Sequence, residues 1–286
     1  MDLRPLAGPL LTIVGALLAV TALMLAFQRR LIYFPSRILE LEPAALGLRH
    51  QEEWLVTEDG VRLHAWLLPL PGAGRTVLVC NGNAGNMSHR LDRALRMQRM
   101  LGVSVLLFDY RGYGRSEGSP DEQGTYRDAR AAYRYAVEVS HVPPLDLVLF
   151  GESLGAAVAV QLALERPVGA LVLESAFTSV PEMARAAYPF LPPIGPLIRT
   201  RYETIAKVPR LTLPLLVLHG ERDDIVPIAQ GRRVFEAAGG PKRFFAIPGA
   251  GHNDTYVSGG EAYWRALGEF LESLRASDPS APASGR

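Results

Sequence analysis

The stretch from Leu147 to Leu164, which reads LVLFGESLGAAVAVQLAL, constrains the fold more than any other part of the sequence. Its first four residues form a short apolar run typical of a buried strand, and its Ala-rich second half is typical of a helix that is apolar on nearly all faces. Between them lies Gly-x-Ser-x-Gly, whose glycines allow a sharp turn that exposes the hydroxyl of Ser153. The stretch predicts a strand, a turn and a buried helix, with a serine able to attack a carbonyl. The alternative is an ordinary glycine turn that happens to carry a serine.

Length and composition favour one large domain with a full core. The chain has 286 residues, of which 48% are hydrophobic. Its 30 basic and 29 acidic residues leave a formal charge of +1, without the basic excess that is typical of nucleic-acid binding, so we expect no nucleic-acid partner. The single cysteine, Cys80, cannot form an internal disulfide.

The N-terminal region carries an uncharged apolar run. No charged residue occurs from residue 9 to residue 27, which is close to the ~20 residues that a helix needs to cross a bilayer. A cleaved signal peptide with a small-residue site at 20–22 is the alternative. The run continues past that site to Gln28-Arg29-Arg30, which favours an uncleaved transmembrane helix over residues 9–28. We therefore expect a single-pass membrane protein.

The orientation of this predicted anchor is less constrained. Arg29, Arg30 and Arg37 outnumber Arg4, so the positive-inside tendency would keep the C-terminal domain in the cytoplasm. One short N-terminal segment is a poor basis for that rule, and the side of the membrane stays open. The predicted organisation is an N-terminal segment 1–8, an anchor 9–28, a juxtamembrane segment 29–50, a catalytic domain 51–275 and a disordered tail 276–286.

Alternating strands and helices fill the predicted domain. Asp59-Gly60 is a strong hairpin signal between two strand-like runs, so an antiparallel pair should open the domain. Six further strands are predicted at residues 76–80, 103–108, 147–150, 170–173, 215–218 and 243–247. Helices are predicted at residues 86–101, 121–140, 153–165, 228–238 and 260–274. This order predicts a mostly parallel eight-stranded sheet with helices on both faces.

One insert interrupts the alternation. Seven prolines occur between residues 181 and 214, too many for one long helix. We therefore expect short helices that form a small Pro-rich lid over the site, at about residues 179–213.

A nucleophilic serine needs a histidine to accept its proton, and that histidine needs a carboxylate to orient it. Of the six histidines, His252 lies in a Gly-rich loop between the last predicted strand and the last helix, where chemistry is often carried. His219 ends a strand, where packing or hydrogen bonding at the turn is the more ordinary role. Asp223 follows the same strand and is the predicted acid, with the neighbouring Asp224 as the reserve.

The oxyanion of a tetrahedral intermediate also needs donors. The backbone N–H of Leu154 directly follows the predicted nucleophile, and Asn83 in the Gly-rich loop after residue 80 is the predicted second donor. A polar loop whose Asn86 caps the next helix is the ordinary interpretation of that loop, and both can hold.

Six motifs in this order resemble the α/β-hydrolase superfamily, and within it the membrane-anchored Bem46-like group. They are NGNAGNMSHR (81–90), FDYRGYGRSEG (108–118), FGESLG (150–155), LESAFTSV (173–180), LHGERDDIVP (218–227) and GAGHND (249–254). The resemblance implies an α/β-hydrolase fold, an N-terminal anchor followed by an aromatic-rich segment, and an acid at Asp223. Asn81-Gly82 stands where the family usually has His-Gly, a difference that bears on the shape of the oxyanion loop.

The leading functional hypothesis is a membrane-tethered serine hydrolase that cleaves carboxylic esters or thioesters. The substrate could include a lipid or a lipidated protein. A serine peptidase of the same fold and a catalytically inactive scaffold are the alternatives. The glycines at 112, 114 and 118 do not match a dinucleotide-binding loop, and the sequence has neither H-E-x-x-H nor a P-loop lysine motif. We therefore expect no cofactor and no metal.

Overall fold

The computed structural model describes residues 4–192 and 194–276, and it gives the backbone alone for residues 4–7, 9, 10, 13, 275 and 276. The strands are β1 (Phe34–Pro35), β2 (Gln51–Val56), β3 (Arg62–Leu68), β4 (Thr76–Cys80), β5 (Ala84–Gly85), β6 (Ser104–Phe108), β7 (Leu147–Glu152), β8 (Ala170–Glu174), β9 (Leu215–Gly220) and β10 (Lys242–Ile247). The helices are α1 (Arg4–Ala26), α2 (Gln28–Ile32), α3 (Leu91–Leu101), α4 (Glu122–Arg134), α5 (Leu154–Glu165), α6 (Val180–Ala187), α7 (Thr204–Lys207), α8 (Ile228–Ala237), α9 (Thr255–Ser258) and α10 (Gly260–Ala276). The predicted disordered tail, 276–286, lies outside these residues except for the backbone of residue 276.

Eight strands form the central sheet in the order β10-β9-β8-β7-β4-β6-β3-β2. Five neighbouring pairs are parallel, and the two pairs that involve β3 are antiparallel. The prediction of a mostly parallel eight-stranded sheet is therefore confirmed, with mixed pairing at one side. The Asp59-Gly60 turn joins β2 to β3, as the hairpin signal predicts.

Alternate residues of β7 contribute to the two faces of this sheet, as the two-residue period of a strand requires. Leu147 and Leu149 pack into a core cluster that contains residues of α4, α5 and α8. Val148 and Phe150 pack into a second cluster that contains residues of α3 and α10. Both faces of β7 are thus covered, which explains why its sequence is continuously apolar instead of alternating.

The predicted lid is made of short segments. Between Ser179 and Pro214 the chain forms α6, a 3₁₀ turn at Gly195–Leu197, α7 and a second 3₁₀ turn at Val208–Arg210. Ser179 caps α6, because its side chain accepts a hydrogen bond from the backbone N–H of Glu182.

The N-terminal region forms two helices and then joins the domain. α1 runs from Arg4 to Ala26 and α2 follows directly, and the two-residue strand β1 then pairs in parallel with β5. Among the residues whose side chains are described, no helix is both long enough and apolar enough to span a membrane. The transmembrane helix predicted at residues 9–28 falls partly outside those residues, so the structure does not confirm it.

Cys80, the single cysteine, lies at the end of β4 and is fully buried. Burial raises the pKa of its thiol to about 12. The thiol is therefore protonated at neutral pH and acts as a small core side chain.

Candidate active site

The turn between β7 and α5 holds Ser153 in a strained backbone conformation. Its φ of 54° and ψ of −114° are rare for a residue with a side chain, so the surrounding structure must impose them. Its backbone N–H donates to the carbonyl of Glu174, at 2.8 Å, at the end of the neighbouring β8. A Cβ at Gly155 would overlap the carbonyl oxygen of Cys80, which explains why this position must be glycine.

The hydroxyl of Ser153 lies at one end of a chain of three side chains. Its Oγ is 3.1 Å from His252 Nε2, and His252 Nδ1 is 2.8 Å from Asp223 Oδ2. The three residues follow β7, β10 and β9, whose carboxyl ends lie on the same edge of the sheet. All three are buried. The residues predicted from sequence as nucleophile, base and acid are therefore brought together within hydrogen-bonding distance.

Asp223 is held by its own turn as well as by His252. Its Oδ1 accepts hydrogen bonds from the backbone N–H groups of Ile225 and Val226, at 3.1 and 2.7 Å. Burial alone would raise the pKa of this carboxyl. Hydrogen bonds from the two neighbouring histidines outweigh burial and hold the pKa well below its usual range. Asp223 is thus an anion at neutral pH, whereas the reserve residue, Asp224, is exposed.

A second histidine, His219, lies next to Asp223. It is fully buried, and its Nε2 is 2.8 Å from the carbonyl oxygen of Val226 and 3.4 Å from Asp223 Oδ2. Because a carbonyl oxygen only accepts hydrogen bonds, His219 Nε2 carries the proton. His219 therefore has the turn-stabilising role that its place at a strand end suggests.

A group of charged side chains lies next to Ser153, and the sequence did not predict it. Glu152, directly before Ser153, pairs with Arg90 and Arg93 at 3.0 and 3.3 Å, and Arg93 also pairs with Glu174 at 2.8 Å. Burial would raise the pKa of Glu152, but the two arginines outweigh it and lower that pKa. Two arginines thus balance two carboxylates, as buried charges require. The one indication in the sequence was Arg93, at a position of α3 that faces the core. Residue type alone does not distinguish such an arginine from one on the surface.

The loop that follows β4 contributes to the surroundings of Ser153. Asn83 lines the same cavity as Ser153 and Leu154. Its side-chain nitrogen donates to the carbonyl of Ile32 at 2.8 Å, so the side chain is engaged with the N-terminal segment. Leu154 begins α5, so its backbone N–H has no partner four residues earlier within the helix. Of the two predicted oxyanion donors, Leu154 offers this N–H. Asn83 can offer its backbone N–H, because its side-chain amide already donates to Ile32.

Asn81, which stands where the family motif usually has histidine, is a buried residue at the start of this loop. Its side-chain nitrogen donates to the carbonyl of Phe108 at 3.0 Å, and its backbone carbonyl accepts from the hydroxyl of Tyr110 at 3.2 Å. The amide therefore ties the loop to the end of β6. Asn86 caps the next turn, since its side chain accepts from the backbone N–H of Ser88.

A cavity of about 290 Å³ opens onto Ser153. Its walls come from several parts of the chain: Asn83 and the residues around Ser153, the turn that carries Asp223, the lid with α6, and the N-terminal segment from Met24 to Ile32. Among the described residues that line it there is no aspartate, glutamate, lysine, arginine or histidine, and most of these residues are apolar. This volume is close to the lower end of ligand sites, which span roughly 300–1,000 Å³.

Within the described residues, no group of three or more histidine, cysteine, aspartate or glutamate side chains is arranged to hold a metal ion. The side chains near Ser153 are the imidazole of His252 and the carboxylate of Asp223, and they lie beside a mostly apolar cavity.

The sequence is similar to a family profile and to proteins of bacteria and yeasts. A family profile described as "alpha/beta hydrolase fold" matches residues 75–194. The chain is 48% identical to an uncharacterised protein of Mycobacterium tuberculosis (75% of this chain, 76% of the relative). It is 35% identical to the protein bem46 of Schizosaccharomyces pombe (85% and 82%). It is 31% identical to a Saccharomyces cerevisiae protein named an uncharacterised membrane protein (80% and 82%).

The fold is also similar to that of solved structures. An esterase of Pyrococcus furiosus superposes with a TM-score of 0.72 and 20% sequence identity, over 85% of this chain and 98% of the esterase. At this identity the likeness concerns the fold alone.

Proposed function

The chain belongs to the Bem46-like group of the α/β-hydrolase superfamily, and we propose that it is a serine hydrolase that cleaves carboxylic esters or thioesters. The observation that carries this proposal is the continuous contact from Asp223 through His252 to Ser153, at 2.8 and 3.1 Å. In an acyl-transfer mechanism each of these side chains has a defined task, and the task of each depends on its neighbour.

In the first step, Ser153 Oγ attacks the acyl carbonyl while His252 Nε2 accepts the hydroxyl proton. The anionic Asp223 keeps the other ring proton on Nδ1 and stabilises the imidazolium that forms. The backbone N–H groups of Leu154 and Asn83 stabilise the negative charge on the carbonyl oxygen. His252 then donates its proton to the departing alcohol or thiol, which leaves an acyl-serine.

In the second step, water replaces the leaving group. His252 accepts a proton from this water, which attacks the acyl-serine and releases the carboxylic acid, and the proton returns to Ser153. The uncharged cavity beside Ser153 supports an acyl substrate, because a charged group would lose its hydration there without gaining a partner.

The most direct test is labelling of the full chain with a fluorophosphonate, which reacts with activated serines. We expect labelling of the wild type and none of Ser153→Ala. Asp223→Asn should reduce labelling by at least 100-fold, since the histidine would lose the carboxylate that orients it. The matched control is Asp224→Asn, an exposed neighbour that should label at the wild-type rate.

Hydrolysis assays separate the alternatives. Cleavage of p-nitrophenyl esters but not of p-nitroanilides would support the esterase over the peptidase. A folded wild type that neither labels nor hydrolyses any of these compounds would support the inactive scaffold, and the proposal would be abandoned.

We also propose that α1 tethers this hydrolase to a membrane. The support is the absence of charged residues from 9 to 27 and the exposure of Leu11, Leu18 and Leu23. Fractionation of cells that express the full chain tests this. Recovery in the membrane pellet after a high-salt and carbonate wash is expected, and recovery of a shortened chain in the soluble fraction would indicate cleavage instead.

A further inference from the structure

We propose that the N-terminal segment from Met24 to Ile32 is part of the acyl-binding site and determines which acyl chains the protein accepts. This inference rests on the proposed hydrolase function. It gives the segment a role in substrate selection that is separate from attachment to a membrane.

The first observation is the shape of the cavity that opens onto Ser153. Met24, Leu25, Leu31 and Ile32 line it from one side, and residues of α6, including Met183 and Ala184, line it from another. A chain bound to Ser153 would therefore extend between the lid and the N-terminal segment. Most of this lining is aliphatic, which suits an unbranched or lightly branched acyl chain better than a polar group.

The second observation is that the start of α2 is hydrogen bonded to the lid. Gln28 Oε1 accepts hydrogen bonds from the backbone N–H groups of Arg199 and Thr200, at 2.9 and 3.4 Å. Arg29 also pairs with Asp121 at 2.9 Å, although this pair is exposed and should contribute little. The bonds to Gln28 join the N-terminal wall of the cavity to the lid.

The third observation is that the residues after α2 are attached to the oxyanion loop. The backbone N–H of Phe34 donates to the carbonyl of Asn83 at 2.9 Å, while the side chain of Asn83 donates back to Ile32 at 2.8 Å. Tyr33 is buried, and its hydroxyl is hydrogen bonded to that of Tyr202 at 2.9 Å. Two bonds in opposite directions thus hold this wall against the oxyanion loop, and the hydroxyl of Tyr33 ties it to Tyr202 of the lid as well.

These contacts give the segment a measurable effect. Because these contacts join the N-terminal wall to the lid and to the oxyanion loop, a bulkier side chain at that wall should shorten the acyl chain that fits. A short acyl group should be affected less, because it stays close to Ser153.

The test uses the full chain with Leu25→Trp, which places a larger ring on the cavity wall. We measure kcat/KM for p-nitrophenyl octanoate and p-nitrophenyl acetate and compare their ratio with that of the wild type. The expected result is at least a tenfold fall in the octanoate-to-acetate ratio of kcat/KM.

Leu23→Trp is the matched control, since Leu23 lies on the same helix, is 60% exposed and does not line the cavity. This variant should keep the wild-type ratio. If Leu25→Trp does not fold, Met24→Trp replaces it, because Met24 lines the same wall and is half-buried.

The outcomes separate this inference from the proposed function. A wild type with no fluorophosphonate labelling and no ester hydrolysis would overturn the hydrolase itself. An active wild type whose ratio is unchanged by the Leu25 or Met24 variant would overturn only the role of the N-terminal wall. An equal fall in the ratio for the Leu23 variant would also overturn it, because the effect would not depend on the cavity.

Discussion

Helices α1 and α5 have almost the same apolar character and opposite surroundings. Both carry apolar residues on nearly every face. In α5 the residues from Leu154 to Val160 and Leu162 are buried. In α1, Leu11 is 72% exposed, Leu18 59% and Leu23 60%.

The difference shows that an apolar composition indicates that a helix needs apolar neighbours. It does not indicate which part of the protein, or what other material, provides them. α5 directly follows a central strand and packs between the sheet and α4, which supply its apolar surroundings. α1 precedes the sheet, and those of its described side chains that line a cavity of the domain lie at its C-terminal end. The exposed leucines of α1 are therefore not covered by the domain, and exposed apolar surface of this kind marks sites of interaction.

The largest expected contrast concerns one glycine in each helix. A Cβ at Gly155 would overlap the Cys80 carbonyl, whereas nothing lies within 4 Å of a Cβ at Gly15. Gly155→Ala should destabilise the fold by about 3 kcal/mol or more, because backbone atoms must move. Gly15→Ala should be neutral or stabilise α1 by about 0.5–1 kcal/mol. Urea unfolding followed by circular dichroism measures both, and similar stabilities would contradict the contrast.

The next contrast concerns one leucine in each helix. Leu162→Ala should cost about 2–5 kcal/mol, since the side chain is 1% exposed and its removal leaves a cavity. Leu18→Ala should change the free energy of unfolding by less than about 0.5 kcal/mol. A comparable loss for the Leu18 variant would mean that α1 packs against protein in solution.

The free energy of unfolding should depend on pH through a residue of the domain, Asp109, and not through α1. Burial raises the pKa of Asp109 to about 7, above the ~3.9 of an unfolded chain. The folded state therefore binds an extra proton between these values, and this residue's contribution to stability falls as pH rises from about 4 to 7. Asp109→Asn should remove a pH-dependent change of up to about 4 kcal/mol, since each pKa unit corresponds to about 1.4 kcal/mol. The control, Leu18→Ala, should keep the wild-type slope in denaturant titrations at several pH values.

The smallest expected effect on stability is a change of surface polarity in α1. Replacing both Leu18 and Leu23 by serine should leave the melting temperature within about 2 °C, because neither side chain packs in the core. The same variant should partition less into Triton X-114, since it presents less apolar surface. Unchanged partitioning would indicate that α1 does not interact with the detergent phase.

Most of the sheet could be predicted from local patterns. Runs such as TVLVC and LVLF are buried on both faces and therefore continuously apolar, and Asp59-Gly60 determines a hairpin by its own conformational preference. The strand that precedes Ser153 extends to Glu152, beyond the predicted end at Phe150. Gly151 and Glu152 have low strand propensity, and they are held by pairing with β8, which local sequence does not report.

The candidate site was predictable where loops follow strands, and less so where distant segments meet. Ser153, Asp223 and His252 could be proposed because topology places strand ends together. The pairing of β1 with β5 could not, because two residues have no periodicity and Phe34 meets Ala84 only through the fold. The engagement of the Asn83 side chain by Ile32 was missed for the same reason.

The burial of the single thiol makes this chain a convenient host for spectroscopic probes. At neutral pH, a maleimide or methanethiosulfonate reagent should leave Cys80 unmodified in the folded protein, since its sulfur is enclosed and protonated. A cysteine introduced at Leu23 would then be the one reactive thiol, without any need to remove the natural one. A nitroxide attached there would report directly whether water, detergent or lipid surrounds the N-terminal helix.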